Sequence, residues 1–528
     1  MIRGTLAIVE IVILSVLVLA TRCANYQDVF VAGNIYFVDA DCYARMTRVR
    51  MCAARPGLIL RHHDFENFPQ GTTPHTTAPF DYLILALALS FKPFTSQPLD
   101  MAGAFVSPLL ALAGAWFLWW WSRRMKFQYR WVTLILFAIS PILVHGTALG
   151  RPDHQSLLIL LVAVGICAEW GLQIAADTAA AAERNRLAVL SGVAWGFAIW
   201  VSAYEPLVLF LIALVASFLL NPRTLSGRGR RAGWVWFAAI IAAALIIERR
   251  VPSFAILQSS AIFKNWASTI GELAHVSSAS RVWFHWCGYL VLIAPFLIWI
   301  SVKARKDGAR RLNALPVYVL LIATYFLTIW QARWAYFFVL IFALALPALL
   351  APIKSATAIW VAFVLSIFPV LRHWDETLWP NDTELASHAE KRIESAQIRE
   401  VALTLASSQL QPFLAPWWLS PSIAYWSGQP GVAGSSHESL KGIEDSARFF
   451  LSNDLKQARS ILHKDNVAWV FAYDSQRMTQ NSAAILNEVV PVDPLCRVLD
   501  RTPSQVPPFL IFSAQTPACK LYRVSIER

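Results

Sequence analysis

Residues 150–176 read GRPDHQSLLILLVAVGICAEWGLQIAA, an apolar run directly preceded by a charged hexapeptide. A helix needs about 17 to 25 mostly apolar residues to cross the hydrocarbon core of a bilayer, and residues 156–176 meet that length. Asp153 and His154 therefore lie at the boundary of a predicted span. An ionisable group at such a boundary has to be paired, solvated or metal-bound, so it is a candidate functional residue.

The composition extends this interpretation to the whole chain. Of 528 residues, 57% are hydrophobic and only 15% are charged, and 23 are Trp. A soluble core cannot use that much apolar surface, so the sequence predicts a polytopic α-helical membrane protein. The formal net charge of +12 is largely accounted for by basic loops between the predicted spans, and it requires no nucleic-acid partner.

Eleven apolar runs are long enough to be spans, within a predicted total of about 11 to 13. The shorter segment 80–91 suits an interfacial or re-entrant helix and is left out of the eleven. The predicted spans are 2–21, 101–121, 131–149, 156–176, 187–203, 204–220, 233–247, 283–301, 315–331, 334–351 and 356–371. The first resembles a cleavable signal sequence, but a retained signal-anchor fits better because its removal would delete the orienting crossing.

The charges of the loops predict the orientation. Loops 122–130, 221–232 and 302–314 are rich in Lys and Arg, and such loops face the cytoplasm. Eleven crossings place all three loops on that side, together with the N-terminus. The same count places the remaining long segments on the exported face; these are loops 22–78, 150–155 and 248–282 and the tail from Arg372 onward.

From Arg372 the composition becomes polar and mixed, which predicts a membrane domain over 1–371 and a soluble exported α/β domain over 372–528. In the tail, helix-like patterns cover 382–408 and 443–463, and a strand-like pattern covers 467–473. Cys496 and Cys519 lie in this tail, where a disulfide between them is compatible with an exported domain. Cys167 and Cys287 lie within spans and are predicted to be packing residues.

Acidic residues of three predicted exported segments can meet at the membrane surface. They are Asp39 and Asp41 after the first span, Asp153 in the short loop and Glu272 in the long loop. Carboxylate oxygens suit a hard divalent cation, so these residues predict a metal-centred site. Three loop histidines, His62, His63 and His75, are instead typical of solvated side chains.

Four short motifs, taken in order, resemble the catalytic subunit of oligosaccharyltransferase, within the C-type membrane glycosyltransferases that use polyprenyl-linked donors. The first exported loop keeps an Asp and an Arg six residues apart, and the next carries an Asp-His pair. A Thr-x-x-Glu element and a Trp-Trp element follow. The matching segments are Asp39-Ala40-Asp41-Cys42-Tyr43-Ala44-Arg45, Asp153-His154-Gln155, Thr269-Ile270-Gly271-Glu272 and Pro416-Trp417-Trp418-Leu419-Ser420.

The resemblance implies a role for each group. Asp39 and Asp153, with Asp41 and His154, would hold Mn²⁺ or Mg²⁺, and Arg333 would contact the donor phosphates. Glu272 would orient the acceptor nucleophile for an inverting displacement. Trp417, Trp418 and Ser420 would contact the acceptor, a protein or a glycan. Each residue also has a structural alternative: the carboxylates as helix caps or partners of Arg45 or Arg151, and the remaining side chains as interfacial, core or solvated groups.

Leu419 departs from the resemblance, because the family has an Asp at this position that accepts a hydrogen bond from the Ser or Thr of an Asn-x-Ser/Thr acceptor. A leucine cannot accept that bond, although Ser420 is a candidate substitute. A lipid or cell-surface glycan is therefore an alternative acceptor. A transporter or flippase of a lipid-linked or anionic solute is the competing class, but such sites usually lie at the bilayer midplane between repeated halves, and the sequence has no internal repeat.

Overall fold

The computed structural model describes residues 2–175, 181–251, 260–306, 314–407, 409–501 and 503–525. These residues form two compact units. The first contains residues 1–26, 104–251 and 274–381, and the second contains residues 27–103, 252–273 and 382–528. Parts of the predicted loops 248–282 and 302–314 lie outside the described residues. The boundary at residue 372 stays a prediction.

The first unit is helical. Five described helices are long and apolar enough to cross a membrane, or six when the pair Ala356–Ser366 and Phe368–Leu378, bent by 45°, is taken as one span. Each of the eleven predicted spans overlaps a helix, and the number of crossings stays a prediction. The helices are Ile2–Arg22, Pro98–Arg124 (from Ala104), Arg130–Ile139, Pro141–His145, Gln155–Ala175, Ala181–Val201, Tyr204–Leu220, Arg223–Ser226, Arg228–Glu248, Val282–Cys287, Leu290–Lys306, Leu315–Trp330, Ala335–Leu350, Ala356–Ser366 and Phe368–Leu378, with a 3₁₀ turn at Ala332–Trp334.

The predicted span 131–149 is not one continuous helix. It consists of Arg130–Ile139 and Pro141–His145, because Pro141 has no backbone N–H to continue the first helix. Arg22, fully buried, donates to the carbonyls of Phe137, at 2.8 Å, and of Ala138. Trp374 Nε1 donates to the carbonyl of Ile139 at 2.7 Å. These side chains satisfy carbonyls that a continuous helix would have satisfied itself.

The predicted span 283–301 is also interrupted. Val282–Cys287 and Leu290–Lys306 are separate helices, and Gly288 between them has a positive φ of 71°. A Cβ on Gly288 would lie 2.6 Å from the carbonyl oxygen of Ser366, so the position requires glycine on both grounds. Ser366 in turn accepts the N–H of Tyr289 at 2.9 Å, which fixes the break against a neighbouring helix.

Two glycines let the helices Ala181–Val201 and Arg228–Glu248 pack closely. A Cβ on Gly192 would lie 2.0 Å from the carbonyl oxygen of Gly233, and a Cβ on Gly233 would lie 2.3 Å from that of Ala188. Small residues at facing positions are the usual means by which membrane helices approach each other. These close approaches fix the register of the two helices relative to each other.

The second unit is mixed α/β. Its tail carries a four-stranded sheet in the order Phe413–Leu414, Trp469–Ala472, Lys520–Val524 and Leu510–Gln515, in which the first pair is parallel and the other pairs are antiparallel. The strands are β1 Phe30–Val31, β2 Asn34–Ile35, β3 Phe413–Leu414, β4 Trp469–Ala472, β5 Leu510–Gln515 and β6 Lys520–Val524, of which β1 and β2 form a separate hairpin. The helices are Tyr26–Val29, Ala40–Ala54, Ala78–Phe91, Ala261–Ser268, Asp382–Leu403, Ser420–Ser427, Leu440–Leu451, Leu455–Lys464, Ser475–Leu486 and Leu495–Asp500.

The predicted mixed α/β character of the tail is confirmed, with two corrections of detail. The helix-like pattern 443–463 is divided into Leu440–Leu451 and Leu455–Lys464, because Asp454 caps a new helix by accepting the N–H of Lys456. The disulfide between Cys496 and Cys519 is not formed. Both are buried free thiols, and the nearest hydroxyls, of Thr479 and Thr516, lie 3.0 Å and 3.6 Å from the respective sulfurs.

Candidate active site and its relatives

Asp153 and His154 lie where the sequence places them, immediately before the helix Gln155–Ala175. Asp153 Oδ1 and His154 Nδ1 are 2.6 Å apart, and the second carboxylate oxygen is 4.0 Å from the guanidinium of Arg151. Asp153 is half-buried, whereas His154 and Arg151 are buried. The contact with Asp153 fixes the imidazole ring, as carboxylates commonly do for histidines that bind metals.

Arg151 extends this group of polar contacts. Its guanidinium is 3.2 Å from His145 Nε2, and His145 Nδ1 is 2.8 Å from the hydroxyl of Tyr336. His145 is the last residue of one helix and Tyr336 lies in the first turn of another, so both side chains are supplied by helix ends. Guanidinium and imidazole groups held in this way are suited to anionic oxygen ligands.

Arg333 has a carboxylate partner that the sequence motifs do not indicate. Its guanidinium is 2.5 Å from Glu205 Oε1, and its Cζ is 5.8 Å from the ring centroid of Tyr204. The positive groups that act on the Glu205 carboxylate are Arg333 first and His154 second. Glu205 is thus in contact with the predicted phosphate ligand Arg333 and within electrostatic range of His154. We call the seven side chains of this connected set, Arg333, Glu205, His154, Asp153, Arg151, His145 and Tyr336, the helix-end network.

The other predicted metal ligands belong to the second unit. Asp39 is half-buried and caps the helix Ala40–Ala54 by accepting the N–H of Cys42 at 2.9 Å, which is one of the structural roles open to it. Asp41 is exposed. Arg45, the Arg of the first motif, forms a buried ion pair with Asp81 at 2.8 Å. A metal site that joins Asp39 and Asp41 to Asp153 and His154 stays a prediction.

Glu272 is half-buried in the 3₁₀ turn Gly271–Leu273. The helix Ala261–Ser268 before it is attached to the tail, since Asn265 donates to the carbonyl of Ile485 at 3.1 Å. Trp266 of this helix packs edge-on against Trp417 with ring centroids 5.8 Å apart. The long loop and the Trp-Trp element therefore share one hydrophobic cluster within the second unit.

The side chains of the Trp-Trp element are held by the tail itself. Trp417 Nε1 donates to Asn481 at 2.9 Å, and the guanidinium of Arg477 lies over the ring of Trp418 at 5.1 Å. Ser420 is buried, and its hydroxyl donates to the carbonyls of residues 415 and 416. Leu419 packs against the apolar core of the tail. The acceptor-binding role of this element stays a prediction.

A second polar cluster lies wholly within the second unit. His75 Nδ1 is 2.9 Å and His437 Nε2 is 3.5 Å from Glu438 Oε1. Burial opposes ionisation of Glu438, but the His75 and His437 imidazoles outweigh it and hold the pKa of its carboxyl well below its usual range. Nearby, burial raises the pKa of Glu66 to about 7. His75 is thus engaged and His63 is buried, so the expectation of solvated loop histidines is wrong for these two.

No family model and no curated protein sequence matches the chain. Solved structures do match it. The Archaeoglobus fulgidus oligosaccharyltransferase tethered with an acceptor peptide containing the NVT sequon has a TM-score of 0.69 at 14% identity, over 91% of this chain and 70% of that one. The fold is oligosaccharyltransferase-like. The same enzyme in complex with Zn and sulfate gives a TM-score of 0.68 at 14% identity, over 90% and 69% of the two chains.

ArnT from Cupriavidus metallidurans, bound to undecaprenyl phosphate, has a TM-score of 0.59 at 13% identity, and the match covers 98% of this chain and 97% of that one. The resemblance inferred from the motifs is thus confirmed for the fold. The oligosaccharyltransferase-like fold combines the helices of a multi-pass membrane protein with a mixed α/β tail, as the sequence predicts.

The sequence contained one signal for Glu205. It lies in Ser202-Ala203-Tyr204-Glu205-Pro206, an acidic residue at the junction of the predicted spans 187–203 and 204–220. Because the two predicted spans adjoin, hydropathy places Glu205 inside a continuous apolar stretch and not at a span boundary. The structure shows that the helix Tyr204–Leu220 begins at this point, so Glu205 lies in its first turn. The boundary rule that selected Asp153 would have selected Glu205 as well.

Proposed function

We propose that the protein is a membrane glycosyltransferase that transfers a sugar or oligosaccharide from a polyprenyl-(pyro)phosphate donor to an acceptor. The observation that carries this proposal is the helix-end network, in which predicted catalytic and phosphate-binding residues are connected through Glu205 within an oligosaccharyltransferase-like fold. In this proposal residues 1–371 form the catalytic membrane domain and residues 372–528 the exported domain, with the N-terminus in the cytoplasm.

The phosphate group of the donor would bind at Arg333. The guanidinium is permanently charged and presents a planar set of donors that matches phosphate geometry. It is 20% exposed, whereas its partner Glu205 is 1% exposed, so the arginine is the member of the pair that a ligand can reach. Binding would then exchange part of the Glu205 contact for contacts with phosphate oxygens.

A divalent metal ion, Mn²⁺ or Mg²⁺, would be held by Asp39 and Asp153, with Asp41 and His154 as further ligands. The donor atoms fit such an ion, because they are carboxylate oxygens with one imidazole whose ring Asp153 fixes. A bound cation supplies charge neutralisation for the departing phosphate. Asp39 would use one oxygen as the helix cap seen here and would offer the carboxylate charge to the ion.

Glu272 would orient the acceptor nucleophile for an inverting displacement at the anomeric carbon. Its support is positional: the helix preceding its turn packs on Trp417, the first aromatic residue of the proposed acceptor element. Trp417, Trp418 and Ser420 would form the surface against which the acceptor lies. A carboxylate and an aromatic surface carried by one hydrophobic cluster can act on the same acceptor group.

A second candidate acceptor class is a lipid or cell-surface glycan. Leu419 favours it, since this side chain packs into the apolar core of the tail and cannot accept the hydrogen bond of a sequon Ser or Thr. Replacing Leu419 by Asp tests this point. If L419D gains no activity on sequon peptides, the residue at this position does not determine the acceptor.

Mass spectrometry of glycopeptides and glycolipids from host cells tests the proposal. Cells would carry the wild-type chain, D153A or the control D493N, whose side chain is 44% exposed in a surface ion pair with Arg501. We expect D153A to lose one class of glycosylated product and D493N to retain it. Loss of Asn-linked glycopeptides would identify a protein acceptor, and loss of a glycolipid would identify the alternative. Identical product profiles from wild type and a folded D153A would refute the enzyme.

A further inference from the structure

His75, His437 and Glu438 have the composition and spacing of a metal site that is separate from the helix-end network. One ligand atom from each side chain can be chosen so that all three atoms lie within 4.8 Å of one another. His75 and Glu438 are 363 residues apart in the sequence, and their ligand atoms are 2.9 Å apart in the structure. All three residues belong to the second unit.

The two segments that supply these ligands are fixed to each other by backbone contacts. Gly431 donates its N–H to the carbonyl of Phe65 at 2.9 Å, and Phe68 donates to the carbonyl of Gly431 at 3.1 Å. The N–H of Gly442 donates to Asn67 Oδ1 at 2.9 Å. His75 follows its anchors by a few residues, and the pair His437-Glu438 lies between Gly431 and Gly442, so both sides of the cluster are held before any ligand binds.

The chain is packed so closely at this junction that only glycine fits at two positions. A Cβ on Gly442 would lie 1.8 Å from the carbonyl oxygen of Val432, and a Cβ on Gly434 would lie 2.8 Å from Cβ of Glu66. Side chains brought together on a rigid junction lose little freedom when they bind an ion, which favours binding. The cluster is therefore preorganised by the fold.

The ligand atoms have the spacing that zinc requires. Two atoms bound to Zn²⁺ at about 2.1 Å in tetrahedral geometry lie about 3.4 Å apart. The two measured separations from Glu438 Oε1, 2.9 Å and 3.5 Å, lie on either side of that value. Two imidazoles with one carboxylate suit Zn²⁺, whereas Mg²⁺ prefers oxygen ligands. The donor set thus favours Zn²⁺ over Mg²⁺.

Exposure gives the site one open side. The side chains of His437 and Glu438 are each 9% exposed, and that of His75 is 34% exposed. An ion held between them would be enclosed by the tail and accessible beside His75, where a water molecule can complete a four-coordinate shell. We propose that His75, His437 and Glu438 bind Zn²⁺ and thereby link the first long loop to the tail.

The zinc site is independent of the proposed transfer reaction, and the test measures the amount of zinc bound per protein molecule. The full-length protein carrying D39N and D153N, which remove the main ligands predicted for the other metal, would be stripped with a chelator in detergent and exposed to Zn²⁺. We expect about one equivalent of tightly bound zinc by elemental analysis after desalting, because one site remains. Zn²⁺ should also raise the thermal midpoint of unfolding.

Three further variants in the same background complete the test. H437A and E438Q should lose the bound zinc and the zinc-dependent rise in thermal midpoint. H463A removes an exposed histidine of the same unit and should keep both. If H437A is not folded, H75A replaces it, since the side chain of His75 is one-third exposed. Absence of zinc from the background protein, or unchanged zinc in folded H437A and E438Q, would overturn the proposal and leave only an ion pair.

Discussion

The first unit contains two carboxylate–guanidinium pairs with almost the same geometry and different surroundings. Glu169 and Arg230 are 2.6 Å apart, and Glu205 and Arg333 are 2.5 Å apart. Both carboxylates are buried. Arg230 is 3% exposed and is packed on the ring of Trp234, whereas Arg333 is 20% exposed. One pair is closed, and the other is open to a ligand.

The closed pair lies where the helices Gln155–Ala175, Ala181–Val201 and Arg228–Glu248 meet. Ser191 of the middle helix donates to Glu169, so three helices contribute to one buried charge cluster. Such a pair specifies how the helices dock, and its loss leaves an uncompensated charge. The open pair joins helix ends and is connected to His154. Two ion pairs of nearly equal length therefore differ in whether a ligand can reach them.

The largest effect is expected from R230A, because it leaves Glu169 buried without its guanidinium. Removing one partner of a buried ion pair costs roughly 3 to 5 kcal/mol of stability. We expect a strongly reduced yield of folded protein and a lower thermal midpoint in detergent. The double variant E169Q/R230M should recover much of the loss, since both charges are gone. Wild-type stability of R230A would contradict the structural role assigned to the closed pair.

R333A also leaves a buried carboxylate, Glu205, without its guanidinium, so it is paired with R333A/E205Q, in which no buried charge is uncompensated. For this double variant we expect a folded protein and a slow reaction. Removing one positioned group that stabilises developing charge commonly costs about 10²- to 10³-fold in rate, or roughly 3 to 4 kcal/mol in the barrier. The measurement is transfer from a polyprenyl-linked donor beside the thermal midpoint of the same sample. R333K keeps the charge and should recover only part of the rate, because an ammonium lacks the planar fork. Full activity of R333A would remove the distinction between the two pairs.

Asp465 shows what a buried carboxyl does without a guanidinium. Neither carboxylate oxygen accepts a hydrogen bond from the described residues, and Lys464 Nζ is 3.9 Å away. Burial and the neighbouring Asp445 raise the pKa of Asp465 to about 6. A raised pKa favours folding while the carboxyl is neutral, so this contribution is complete below about pH 4 and is lost as the pH rises through 6.

The variant D465N should therefore be more stable than wild type above pH 6 and no more stable at pH 4. We expect a gain of roughly 1 to 2 kcal/mol at pH 8, allowing for screening by solvent. Thermal unfolding of both proteins between pH 4 and 8 measures the difference. A gain that does not vary with pH would show that the charge of Asp465 is not its cause.

The smallest effect on stability is expected at Asp39, whose partner is a helix N-terminus. Asn caps helices as well as Asp, so D39N should unfold within a few tenths of a kcal/mol of wild type, whereas D39A should lose about 1 kcal/mol. D39N nevertheless removes the carboxylate charge and should lose transfer activity. If D39N is fully active, the cap is the whole role of Asp39.

Patterns of hydropathy and charge within short stretches of sequence predict those features that depend on neighbouring residues. The apolar runs fall on helices. Length and polarity are enough to find the boundaries of the spans, so they also predict that Asp153, His154 and Arg333 lie at helix ends. The break at Pro141 was missed because it depends on carbonyls satisfied by Arg22 and Trp374, which come from distant parts of the chain. Hydropathy therefore predicts the apolar span 131–149 but not the break within it.

The site was predictable only in part for the same reason. Glu205 lies between two adjoining predicted spans, so hydropathy does not mark a boundary there. Its position nevertheless fits the rule that ionisable residues at span boundaries are candidate functional residues. The contact of His75 with Glu438 spans most of the chain, and no spacing motif connects them. Single-sequence patterns report neighbours within a few turns, whereas a ligand cluster of this kind depends on the tertiary fold.

The docking of the first loop on the tail also sets an order of assembly. Asn67 accepts the N–H of Gly442, a residue that the ribosome adds 375 positions later. At about 5 to 20 residues per second, that interval lasts roughly 20 to 75 s. Throughout it the loop is without the partners that fix Phe65 and Phe68. The segment around Phe65 to Phe68 is therefore among the last parts of the chain to reach its final structure, and a chain that stops before Gly431 lacks the partners that this segment needs.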